Sequence, residues 1–168
     1  LGLAAMMETP VVIIDGMRPG PATGLPTWSG QGDLRFALHA HQGDFPRIVL
    51  APGDPIEAFY LTMQAFNLAD KYQTPVIILA DKNICEHEQS MQIFDIENYE
   101  IDRGKFATKK ENKFERYKLS EDGISLRSVP GSGNFFIGNS YEHTTVGYDS
   151  EKIQDINSQM QKRMTKLA

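Results

Sequence analysis

The sequence predicts an α/β fold, a parallel sheet with flanking helices, on three observations. Val11 to Ile14, Arg47 to Leu50 and Val76 to Leu79 are continuous β-branched runs, the pattern of strands buried on both faces of a parallel sheet. A long helical segment separates the second run from the third, which makes a strand, crossover helix, strand unit. A polar, turn-rich segment follows the first run, where open parallel sheets place their ligands.

Each element has a local reason. The opening "LGLAAMM" is helical in character, but it has neither a cap nor a strand before it, so the chain is expected to enter in the middle of a fold. In "GDPIEAFYLTMQAFNLADKYQTP", Asp54 stands at N-cap, Pro55 at N1 and Glu57 at N3, which satisfies free amide donors and presets the first φ angle. Ile56, Phe59, Tyr60, Met63 and Phe66 recur at helical spacing and predict the buried face, and Pro75 marks the stop. Beyond residue 82 the texture changes. Acidic residues crowd the stretch from Glu86 to Asp102 and basic ones the stretch from Arg103 to Lys118, without periodicity, as in a connector running over the surface. Pro130, Gly131, Gly133 and Gly138 signal turns, with short strands expected around Tyr117 and Phe135. A final helix is expected from about Ser150, with Ile153, Ile156, Met160, Met164 and Leu167 as an apolar stripe that needs a partner surface. The expected divisions are therefore 1–82, 83–149 and 150–168.

Composition narrows the function. With 40% apolar and 23% charged residues, the chain of 168 residues belongs with globular proteins of one ordinary domain. No stretch approaches the roughly 18 apolar residues that span a bilayer. A net charge of -5 without a basic stripe argues against a nucleic-acid surface. One cysteine, Cys85, allows no internal disulfide and no Cys-ligated cluster or zinc ribbon within the chain, so a reducing cytoplasm is the expected compartment. Proteins or small molecules are the expected partners.

The candidate site is the segment "VVIIDGMRPGPATGLPTWSGQGDL". Arg18, Thr23, Thr27, Ser29, Gln31 and Asp33 are set among Gly16, Gly20, Gly24, Gly30 and Gly32, and glycine allows positive φ and close approach to a ligand. Two readings stay open: a loop that lines a ligand site, or an Ω-loop stapled by its own side chains. No G-x-G-x-x-G opens a helix and no G-x-x-x-x-G-K-[ST] occurs, which removes the usual nucleotide motifs. His39 and His41 have only Asp44 near in sequence as a further metal ligand, so hydrogen bonding or solvation is expected for them. His143 is isolated and expected to be structural. Glu86, His87 and Glu88 read as an exposed charged turn, and Cys85 sits among Asp81, Glu86 and Glu88, a setting unsuited to a nucleophilic thiolate.

Three blocks carry a family resemblance: "ETPVVIIDGMRPGPATGLPTWSGQGDL", "FPRIVLAPGDPIEAFYLTMQAFNLADKYQTPVIILADK" and "RYKLSEDGISLRSVPG", followed by "EH" and "QKRMTKL". In this order and spacing they closely resemble the α subunit of 2-oxoacid:ferredoxin (acceptor) oxidoreductases of the 2-oxoglutarate synthase type, most weakly between residues 83 and 113. The resemblance implies a thiamine-diphosphate enzyme that decarboxylates a 2-oxoacid, forms an acyl-CoA and passes electrons through iron–sulfur clusters to ferredoxin. It implies that residues 1–82 are the later half of a transketolase-like pyrimidine-binding domain, and that 83–149 lead towards a further domain. Thiamine diphosphate and magnesium would be shared with a β subunit, the clusters would lie on a partner chain, CoA would be the co-substrate, and further α or other subunits could join. Arg18, Gly20, Thr23, Gly24, Thr27, Gln31 and Asp33 would border the thiamine and substrate site, Arg18 or the glycine amides meeting an anionic group and Thr27, Gln31 and Asp33 fixing the loop. The family's Y-P-I-T-P-like motif, its T-A-T-S-G-P-G-like segment and its cofactor-activating glutamate are not among these residues, and Glu8 in "METP" does not match that glutamate. The chain is thus expected to be an incomplete piece of an α subunit, inactive alone. A non-catalytic assembly module is the alternative, as is part of another transketolase-like thiamine enzyme, against which "RYKLSEDGISLRSVPG" argues.

Overall fold

The computed structural model describes residues 1–168. In chain order the elements are α1 (Gly2–Met6), β1 (Val11–Met17), α2 (Leu34–His39), β2 (Ile48–Leu50), α3 (Pro55–Tyr72), β3 (Pro75–Asp81), α4 (Lys82–Glu86) and α5 (Ile153–Thr165). The three strands form one parallel sheet in the order β1-β3-β2, with Val11 opposite Pro75, Met17 opposite Asp81 and Ile48 opposite Val76. The α/β architecture, the three runs and the crossover helix are as the sequence predicts.

Burial on both faces holds for β3 alone. All seven of its residues are buried, because Ile77 and Leu79 meet Met17 and Ala37 on the α2 side while Val76 and Ile78 meet Ala65 and Ala69 of α3 on the other. Strands β1 and β2 are the sheet edges and stay half-exposed, with Ile14 open to solvent. A continuous apolar run signals a strand but does not say how many neighbours it has.

Helix α3 begins as predicted. The Asp54 carboxylate accepts a hydrogen bond from the Glu57 amide at 2.8 Å, and the Glu57 carboxylate accepts one from the Gly53 amide at 2.7 Å. Asp54→Ala should lower stability by about 1 kcal/mol, read as a shift of the urea midpoint at constant slope. The buried face differs from the predicted one. Ala65 and Ala69 press on the sheet, since small side chains bring helix and strand backbones close, while Phe66 is exposed. Phe59 instead stacks on Phe94 at 3.7 Å between ring centroids, and the Tyr60 hydroxyl accepts from the Asp95 amide. The aromatic stripe thus holds the connector rather than the sheet. Gln73, in the left-handed region at φ 50°, closes the helix before Pro75 starts β3.

No strand forms around Tyr117 or Phe135; beyond α4 only isolated bridges occur, Phe106 with Arg127 and His143 with Asp149. Nor does the connector simply run over the surface. Phe114, Arg116, Tyr117, Ile124, Ser125 and His143 are buried. Arg103 and Arg127 both grip Asp70 near the end of α3, at 2.9 and 2.8 Å.

The last helix reverses its predicted orientation. The apolar stripe stays largely in solvent, with Ile153 at 68% and Met164 at 47% exposure, while Gln159, Lys162, Arg163 and Lys166 are buried. The cause is Glu8, wholly buried just before β1. Lys162 Nζ lies 2.6 Å from one of its oxygens and Lys166 Nζ 2.9 Å from the other, Lys166 also donating to the Gln73 carbonyl. Arg116 donates to the Glu8 carbonyl. Buried charge is tolerated only when paired, and this pairing outweighs the pull of the stripe.

Candidate functional site

The loop after β1 lies at the carboxyl ends of β1 and β3, where strand polarity places ligand sites in open parallel sheets. Part of it is self-packed. The Leu25 amide donates to the Pro19 carbonyl at 3.0 Å, and a side chain at Gly24, whose φ is +52°, would strike that same oxygen. A Cβ at Gly30 would meet the Pro19 nitrogen at 2.7 Å, because the returning limb passes against the outgoing one. These two glycines therefore serve the loop's own fold. At Gly20, by contrast, a Cβ would meet only the Ala22 nitrogen, at an ordinary contact distance of 3.8 Å.

The polar residues divide in two. Arg18, Thr23 and Thr27 are exposed, and none has a side-chain hydrogen bond or ion pair. Arg18 in particular does not brace Asp15 or Asp33. Gln31 is bound inward, its Nε2 donating to Asp81 Oδ2 at 2.7 Å. Asp33 precedes α2, where its carbonyl accepts from Ala37, but its carboxylate caps nothing. That carboxylate acts on Asp15 instead: partial burial raises the Asp15 carboxyl above its ordinary range and the charge of Asp33 adds to the rise.

Asp81 escaped the sequence reading. It ends the buried strand β3, and its Oδ1 accepts the Ile84 amide at 2.8 Å, capping α4. Hydrogen bonds from the Ile84 amide and the Gln31 side chain hold its carboxyl below the usual carboxylate range. An acid directly after "VIILA" was the available signal. Between the loop and α4 lies a wholly polar recess of about 340 Å³, lined by Thr27, Ser29, Lys82, Asn83, Glu86 and His87. The last two belong to the predicted charged turn, and Lys82 pairs with Glu86 across one helical turn. A larger recess of about 500 Å³ lies in the connector among Phe114, Phe135, Phe136 and Tyr148, away from the strand ends.

The remaining candidates are engaged elsewhere. His39 Nδ1 lies 2.8 Å from the Arg35 carbonyl, and His41 packs on Phe45. His143 is wholly buried, its ring nitrogens 3.1 Å from the Met6 and Thr144 carbonyls and its ring against Tyr117. Cys85 is exposed. No three His, Cys, Asp or Glu side chains gather as a metal set, and no helix is long and apolar enough to cross a membrane.

The chain is thus an α/β protein with a parallel sheet and a glycine-rich polar loop at the carboxyl ends of its strands, and the family follows from comparison. Residues 1–164 match the family described as pyruvate flavodoxin/ferredoxin oxidoreductase, thiamine diphosphate-binding, and the chain belongs to it. It is 41% identical over 169 residues to the 2-oxoacid:ferredoxin oxidoreductase 1 α subunit of Sulfurisphaera tokodaii, covering 99% of this chain and 27% of that one. It is 32% identical to the 2-oxoglutarate synthase subunit KorA of Methanothermobacter marburgensis, covering 98% of this chain and 43% of that one. The solved 2-oxoglutarate:ferredoxin oxidoreductase from Magnetococcus marinus, with 2-oxoglutarate, coenzyme A and succinyl-CoA bound, matches with a TM-score of 0.93 and 36% identity over 99% of this chain and 29% of that chain. The chain thus spans roughly a quarter to two-fifths of the relatives it matches.

Proposed function

We propose that this chain is one wall of the active site of a 2-oxoacid:ferredoxin oxidoreductase, within an α subunit that oxidatively decarboxylates a 2-oxoacid such as 2-oxoglutarate to the acyl-CoA. The unpaired, exposed Arg18 at the carboxyl ends of the strands carries the reading. A guanidinium with no partner in the protein is suited to a carboxylate or phosphate, which it can meet with two parallel hydrogen bonds. The Magnetococcus relative, with 2-oxoglutarate and coenzyme A bound, supports ligands of that charge here. Gly20, Thr23 and Thr27 present amides and hydroxyls beside Arg18, Gly24 fixes the turn between them, and Gln31 holds the returning limb on Asp81, while Asp33 contributes only its backbone carbonyl to the start of α2.

Thiamine diphosphate suits this surface as a shared cofactor. When bound it supplies the carbon nucleophile and electron sink for decarboxylation. The donor set fits a lining role: it is polar and glycine-rich, and it lacks the clustered carboxylates that would hold a magnesium ion. On the family resemblance those groups are assigned to a β subunit and the iron–sulfur clusters that feed ferredoxin to a partner chain; within these residues Cys85 alone cannot ligate a cluster. Residues 1–82 are assigned to the later half of the pyrimidine-binding domain, 83–149 to the linker and 150–168 to the closing helix, in a cytoplasmic assembly.

The test is reconstitution. The α subunit containing this chain, purified with its β subunit and given thiamine diphosphate, magnesium and CoA, should reduce a viologen dye when a 2-oxoacid is added, whereas the 168-residue chain alone should not. A silent complex would sink the activity, and turnover by the isolated chain would sink the shared site.

A further inference from the structure

We propose that Asp81 is the positioning residue of the 18–33 loop: from the end of the central strand its carboxylate holds Gln31 on one oxygen and the first turn of α4 on the other. The functional part of this rests on the site reading above. Asp81 is 7% exposed and belongs to the one strand buried along its whole length, whereas Gln31 lies on an exposed limb. No side chain of residues 18–32 bonds to a group outside the loop other than Asp81. The loop carries Arg18 and Thr27 without tethers of their own, so their place over the strand ends depends on this contact and on the loop's internal packing. A displacement of about 1 Å is enough to impair a positioned group.

The chemistry of the pair makes the tether specific. A carboxylate only accepts, so Gln31 must present its Nε2, and a bond to a charged acceptor is stronger than a neutral one. Gln31→Glu would set two carboxylates against each other at the present 2.7 Å and expel the limb. Asp81→Asn in the same chain would restore the pair: one amide oxygen still accepts the Ile84 amide, and the new Nδ2 donates to the carboxylate introduced at position 31.

The experiment uses the assembled enzyme, with steady-state kinetics for 2-oxoglutarate and CoA and amide hydrogen exchange over residues 18–33 and 75–81. Gln31→Glu should speed exchange in the loop but not in β3, and raise KM for one of the two ligands about tenfold with a smaller change in kcat. The ligand affected tells a carboxylate contact from a phosphate one. Adding Asp81→Asn should return exchange and KM to within about twofold of the parent. Unchanged exchange in Gln31→Glu, or a double variant no better than the single one, overturns the tether. Exchange that responds and is rescued while both KM values stay put shows a tether with no positioning role and overturns the proposal. Arg18→Ala in parallel separates the failures: if it alters kinetics and Gln31→Glu does not, only this inference falls, and if neither does, the site reading falls with it.

Discussion

Glu8→Gln is expected to be the most damaging single substitution, destabilising the chain by about 3–5 kcal/mol, because it leaves Lys162 and Lys166 buried without their counter-charge. For a chain of this size that is a fall in Tm of the order of 10 °C. Three cations surround one carboxylate. Burial alone would raise the Glu8 pKa, but Lys166, Lys162 and Arg116 outweigh it and hold the group at about 2. Lys162, shielded from water and sharing that carboxylate with other cations, is in turn drawn down to about 8. The sign of the acid effect follows from Glu8. Its pKa is lower folded than unfolded, so the stability it contributes is fully present above its ordinary 4.5 and is lost as pH falls towards about 2. Denaturation midpoints between pH 6 and pH 3 should therefore converge for the parent and Glu8→Gln; parallel curves would refute this account. Turnover per folded enzyme should hold, since Glu8 precedes β1 and the loop follows it, roughly 20 Å away along the strand.

Arg18→Ala should show the opposite profile. Loss of a charge-assisted contact costs about 1.5–3 kcal/mol, or roughly ten- to a hundredfold in 2-oxoacid or CoA kinetics. Tm should hardly move, because the guanidinium is exposed and bonds to nothing in the protein. A fall of several degrees with unchanged kinetic constants per folded enzyme would make the loop a structural feature only. Together the two variants separate the ends of β1: one end holds the fold, and the other is assigned to the ligand.

The place of the candidate loop was readable because its signals are local. The stretch from Arg18 to Asp33 announces a turn-rich loop by its glycines and prolines, and the run before it announces the strand end at which that loop must lie. The role of single residues was not readable. Gly24 and Gly30 look like Gly20 in the sequence, yet contacts with Pro19 require the first two, whereas a Cβ at Gly20 would fit without a clash. Gln31 finds its partner fifty positions away. The short α2 and α4 were missed because five or six residues carry too little periodicity to stand out.

By itself, the sequence determined the parallel α/β class, the three strands, the capped crossover helix and the place of the loop, since each depends on residue patterns within one turn or one strand. Only the tertiary structure decided which faces are buried. Periodicity located an apolar stripe from Ile153 to Leu167, but burial goes to the side whose interactions gain more, and a carboxylate 154 positions from Lys162 turned the charged side of α5 inward. In the same way, alanines rather than aromatic residues of α3 meet the sheet, because close backbone approach is a property of two packed elements and appears in neither sequence alone.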